Sequence, residues 1–72
     1  DMRKDAREYM ESVIKCLVDK YGMSEIFAYK AVKQSFLYDS LQKYPEETLH
    51  DDISTNAAFV YEDYKAEEKL RM

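Results

Sequence analysis

The chain has 72 residues, one cysteine and one histidine, so neither an internal disulfide nor a Cys/His zinc site is available to brace a small core. Apolar residues make up 46% and charged residues 36%, which excludes disorder of the low-hydrophobicity kind. A single Gly and a single Pro suit long helices with few turns, and nothing alternates with period two for long enough to make a strand. The expectation is one all-α domain over residues 1–72. It is a small bundle of three main helices, with one or two short helical turns between the second and the last.

Met2 reads as a native start and Asp1 as an added residue. From there the first segment is the most regular. Ala6, Tyr9, Met10, Val13, Ile14, Leu17, Val18 and Tyr21 repeat with helical spacing, while Arg7, Glu8, Glu11, Ser12, Lys15 and Asp19 take the other side. Asp5 and Glu8 have the spacing of a capping box, which puts the helix at about 5–21, with a start a turn earlier at Arg3 and Lys4 as the alternative. Gly22 follows at the position where a left-handed residue ends a helix, with Met23 as its apolar contact.

Ser24 is placed to cap a second helix, with Glu25 in the first turn. Phe27, Ala28, Ala31, Val32 and Ser35 form its inner face, and Tyr29, Lys30, Lys33 and Gln34 its outer face. The helix is expected over 24–35. Leu37, Leu41 and Tyr44 are out of phase with it, so a break at residues 35 and 36 leads to a short helix over 37–43; a single bent helix is the alternative.

Pro45 ends that segment but suits a new first turn, with Glu46 and Glu47 behind it. A short turn over 45–51 would point Leu49 inward. Asp52, Ser54 and Thr55 compete to cap the last helix, expected at 55–68 with Ile53, Ala57, Val60, Tyr61 and Tyr64 on one side. The charged end from 66 to 72 is expected to fray.

No apolar run approaches the length of a membrane span and no signal-peptide core is present; with a lone thiol this points to the cytoplasm. The net charge of −4 is uneven: residues 1–43 carry eight basic and seven acidic groups, residues 44–72 three and eight. Such a C-terminal half disfavours nucleic acid and would suit a basic partner, although it also serves as a plain solvated face.

Three clusters invite sharper readings. Glu46 and His50, four apart with Asp51 and Asp52 following, resemble part of a metal site but lack a further ligand. Cys16 has no base assigned beside it and reads as a structural thiol. The turn at Gly22 invites a helix-turn-helix, yet the would-be reading helix offers only Lys30 and Lys33 and no arginine. No catalytic, metal, cofactor or small-molecule site is therefore assigned.

The aromatic residues carry more. Seven tyrosines cannot all enter so small a core, and Tyr is enriched at protein interfaces. Tyr29, Phe36, Tyr38, Tyr44, Phe59, Tyr61 and Tyr64 are the candidate interface residues, for a protein partner or for a second copy.

The order of features from Ser12 to Ile53 resembles small bacterial helical proteins of unknown function encoded beside toxin-like proteins. The carriers are Ile14-Lys15-Cys16-Leu17, the Tyr21-Gly22-Met23-Ser24 turn, Leu37-Tyr38, Leu41, Tyr44, Leu49-His50 and Asp51-Asp52-Ile53. The chain departs from that pattern at Pro45 and in the length of its last helix. The resemblance implies a non-enzymatic, antitoxin-like or accessory binding role and carries over no functional residues. The small core and the tyrosines make homodimerisation the leading expectation, and the Gly22 hairpin makes a DNA-binding regulator the alternative.

Overall fold

A computed structural model describes residues 2–70, all of whose regular elements are α-helices: α1 (Lys4–Tyr21), α2 (Glu25–Lys33), α3 (Phe36–Lys43), α4 (Pro45–Thr48) and α5 (Ile53–Leu70). The all-α class agrees with the sequence. The hierarchy differs, because α3 is only one residue shorter than α2: two long helices hold two of middle length and one single turn.

Helix α1 is the centre of the fold, packing against α5, α2 and α3. Its buried residues Ala6, Tyr9, Met10, Val13 and Leu17 meet Ala28, Ala31 and Val32 of α2, Leu37 and Leu41 of α3, and Ala57 and Val60 of α5 in one core. Small residues on α2 and α5 let the helices approach closely, and Leu17, Leu37 and Leu41 fill the middle. Burying each leucine contributes about 1.5–3 kcal/mol.

The helix ends show why the elements stop where they do. Gly22 adopts φ 71° and ψ 19°, and the N–H groups of Gly22 and Met23 donate to the carbonyls of Val18 and Leu17. The Ser24 hydroxyl accepts from the Phe27 N–H at 3.1 Å, as its spacing predicts. Ser35 separates α2 from α3: its hydroxyl donates to the Val32 carbonyl at 2.7 Å and accepts from the Leu37 N–H at 3.2 Å. The break at 35–36 is therefore real, and the bent-helix alternative falls away.

Several expectations need correction. The Asp5–Glu8 capping box does not form, because the helix starts one residue earlier than Asp5. Arg3 takes the N-cap position, and the Asp5 carboxylate accepts from the Arg3 guanidinium at 2.7 and 3.1 Å. Phe27, assigned to the inner face of α2, is 54% exposed, while Ala28, Ala31 and Val32 take the core side. Helix α4 ends at Thr48, whose hydroxyl donates to the Tyr44 carbonyl at 2.7 Å. Helix α5 begins two residues earlier than expected and continues through Leu70; of the end expected to fray, residues 71 and 72 lie outside the described part, as does Asp1.

Of the three candidates, Asp52 caps α5. Its carboxylate accepts from the Thr55 N–H at 3.0 Å and from the Ser54 and Thr55 hydroxyls at 2.6 and 3.0 Å. These bonds, the Ser54 hydroxyl first, hold its pKa below the ordinary 3.8.

Two buried polar residues were invisible to an apolar pattern. Asn56 is only 5% exposed and its amide donates to the Tyr9 hydroxyl at 2.9 Å; that hydroxyl donates in turn to the Asp51 carbonyl at 2.8 Å. Thr48, equally buried, is satisfied by the Tyr44 carbonyl. Burial pushes the Tyr9 pKa up against the opposing pull of the Asn56 bond, and Asp51 and Asp52 push it further, so the phenol stays neutral.

Three outcomes follow. Tyr9→Phe strands a buried amide and should cost about 1–3 kcal/mol in denaturant unfolding, with the double change Tyr9→Phe/Asn56→Leu costing less than the sum of the singles; wild-type stability in Tyr9→Phe would refute the link. A Cβ on Gly22 would meet nothing within 4 Å, so the cost of Gly22→Val is purely backbone, about 1 kcal/mol or more, and Gly22→Asn should recover part of it. Because the Asp52 pKa is depressed on folding, its contribution is present above the unfolded value and lost as pH falls through the folded one. Thermal melts of Asp52→Asn should consequently show a shallower acid-side decline than wild type.

Candidate interaction surface

The outer edge of α1 and the facing edge of α2 leave an apolar groove that no other helix covers. One section, about 580 Å³, has Ile14, Val18, Ile26 and Tyr29 on its floor and Glu11, Lys15, Asp19 and Glu25 around them. A second section, about 330 Å³, continues past the shared Glu11, Ile14 and Tyr29 to Met2, Met10 and Tyr38, edged by Arg7 and Lys33. Val18 and Ile26 lie together at one end and Met10 and Lys33 at the other, so the helices run antiparallel along the seam.

The sequence accounts for this exposure. The apolar stripe of α1 spans eight residues, wider than the roughly 100° that one packed face requires, and its Ile14 and Val18 edge stays half-buried. On α2 the alanines and Val32 take the core side, which leaves Ile26 67% and Tyr29 47% exposed on the outer one. Ile26 was missed as a surface candidate. The signal available was its position one residue before Phe27, opposite the Ala28/Ala31/Val32 face.

The seven aromatic candidates do not gather on one face. Tyr29 and Tyr38 share the seam, with Lys33 Nζ 5.7 and 5.0 Å from their ring centroids. Phe36 and Phe59 form a separate pair, edge to face at 6.5 Å, bridging α3 and α5, and both are exposed. Tyr61 stacks on Tyr21 at 4.4 Å and is half-buried, so much of its ring is occupied within the chain. Tyr64 is half-buried beside Ala31 and Gln34, and Tyr44 is exposed at the α3–α4 corner.

Charge follows the same division. The ion pairs Lys15–Asp19 at 2.8 Å and Lys65–Glu68 at 3.2 Å lie on exposed helix faces, where each contributes little to stability. Among the described residues, Arg7, Glu11, Glu25 and Lys33 on the seam make no ion pair within the chain. The exposed face of α5 carries Glu62, Asp63, Glu67 and Glu68.

The other clusters are placed as follows. His50 is exposed, and because α4 has ended before it, Glu46 and His50 do not share a helix face. Glu46 faces Arg3 instead, at 3.9 Å. No group of three or more His, Cys, Asp or Glu side chains among the described residues is positioned around a common metal site. Cys16 is half-buried against the core. Helix α2, which a helix-turn-helix would use for reading, presents Ile26, Phe27 and Tyr29 beside Lys30 and Lys33. No helix among the described residues is long and apolar enough to cross a membrane. Comparisons of the chain with protein-family models, with curated proteins and with solved structures found no match.

Proposed function

We propose that the chain is a non-catalytic protein-interaction domain that self-associates, acting in the cytoplasm in an antitoxin-like or accessory role. The observation that carries this reading is the apolar seam between α1 and α2, with Ile26 and Tyr29 exposed over a continuous floor. Contiguous apolar surface on a small domain is costly for solubility and marks interaction sites. Tyrosine, which offers an apolar ring and a polar tip, suits a surface that is alternately wet and buried. The antitoxin-like aspect follows the order of features between residues 12 and 53, which resembles bacterial proteins encoded beside toxin-like ones.

The DNA-binding alternative draws less support. Its reading helix would bring apolar and aromatic side chains to the groove, with Glu25 at its N-terminal end, where phosphate contact calls for cations.

Self-association makes stability depend on concentration, because only the folded chain associates. The melting temperature should rise as protein concentration rises, and sedimentation should show a species heavier than 8.6 kDa at the high end. A concentration-independent melt together with a monomer throughout would overturn the reading.

A further inference from the structure

The charges along the seam form a pattern that reads the same under reversal with opposite sign. On α1 the order is Arg7, Glu11, Lys15, Asp19: basic, acidic, basic, acidic. About its midpoint near residue 13, Arg7 mirrors Asp19 and Glu11 mirrors Lys15. On α2 the order is Glu25, Tyr29, Lys33, with its midpoint at Tyr29. The two midpoints stand at the same level of the seam, because Glu11, Ile14 and Tyr29 are the residues common to both sections of the groove. Arg7 and Lys33 thus share one pole, and Asp19 and Glu25 the other.

We propose that the seam binds a second copy of this chain, face to face, across a two-fold axis that lies in the interface perpendicular to α1 and α2. This rests on the self-association reading and assigns it a surface. The operation lays α1 antiparallel on α1 of the second copy and α2 on α2. Arg7 then faces Asp19 of the second copy, Glu11 faces its Lys15 and Lys33 faces its Glu25. Each contact occurs twice, as a two-fold interface requires. Ile14 and Tyr29 lie nearest the axis and form the apolar centre inside a charged rim.

The other face-to-face two-fold axis, parallel to the helices, is disfavoured by the same residues. It would lay α1 on α2 of the second copy at equal height, placing Arg7 over Lys33 and Asp19 over Glu25. Like charges across an interface select against that arrangement. The unpaired state of Lys33 and Glu25 within the chain leaves both available to the second copy. The Lys15–Asp19 pair already on α1 can share its charges without breaking.

Charge reversal tests the geometry, read by sedimentation equilibrium. Lys33→Glu sets two carboxylates against each other at both ends of the two-fold interface, and Glu25→Lys sets two ammonium groups there. Each variant alone should self-associate about tenfold or more weakly than wild type. In an equimolar mixture the reversed charges meet at one end and the native ones at the other, so a mixed dimer of near wild-type affinity should form. Arg7→Glu and Asp19→Lys supply a second pair under the same rule, should either α2 variant lose its helical circular-dichroism signal. A wild type that remains monomeric overturns both the seam and self-association. A dimeric wild type with both single variants unaffected overturns the seam alone and leaves self-association to another face, such as the Phe36–Phe59 pair. Weakened single variants with no recovery on mixing overturn the two-fold arrangement.

Discussion

The hydroxyl of Tyr9 holds the first helix to the start of the last one, and the placement of α5 rests on that junction. It accepts from the Asn56 amide and donates to the Asp51 carbonyl, joining residues more than 40 positions apart at a point with little access to water. Asp51 and Asn56 flank the cap at Asp52, so one bond fixes where the chain arrives at α1 and the other fixes where it departs along α5. The phase of α5 follows. Ala57 and Val60 turn into the core, Tyr61 comes over Tyr21, and Phe59 comes out beside Phe36. An apolar pair at these positions would supply burial without this directional information.

The same constraint explains what the sequence could and could not disclose. The stripes of α1 and α5, the stop at Gly22 and the cap at Ser24 rest on interactions within four residues, and a local pattern expresses them. Ser35 is a harder case: its spacing fits the inner face of α2, the phase slip to Leu37 and Leu41 told of a break, and its hydroxyl, shared between Val32 and Leu37, shows how one helix ends and the next begins. Asn56 lies beyond local reading altogether, because a polar residue is credible in the core only when its distant partner is known. The capping box at Asp5 failed for a related reason. Its motif was present, but Arg3 offered the carboxylate a charged partner and the helix began one residue sooner.

The surface was legible in kind more than in place. An excess of tyrosine meant that some rings must stay outside so small a core, and the individual rings had different fates. Tyr21 and Tyr61 satisfy each other, Tyr29 and Tyr38 flank Lys33 on the seam, and Tyr44 stands apart at a corner. Which of these occurs depends on how neighbouring helices rotate, and rotation is set by the core. Ile26 illustrates the converse. It was assigned to neither face of α2, and with Ala28, Ala31 and Val32 on the core side it stands 67% exposed.

The seam itself follows from a mismatch between one helix and the number of neighbours available to cover it. Helix α1 is apolar over Ala6, Tyr9, Met10, Val13, Ile14, Leu17, Val18 and Tyr21, a stripe broad enough for contact on three sides. Helices α5, α2 and α3 bury Ala6, Tyr9, Met10, Val13 and Leu17 and leave the Ile14 and Val18 edge half-buried. A charge at residue 14 or 18, each half-buried at the edge, would narrow the stripe but give up its contact with the core. The apolar residues stand there instead, bordered by charges of alternating sign that make no ion pair across the seam. Ile14 and Val18 give part of their area to the core, and the outward part of each lies open beside Ile26 and Tyr29. On the two-fold arrangement proposed above, a second copy would bury Ile14, Val18, Ile26 and Tyr29 and answer the charges around them with the same order of charges turned end for end.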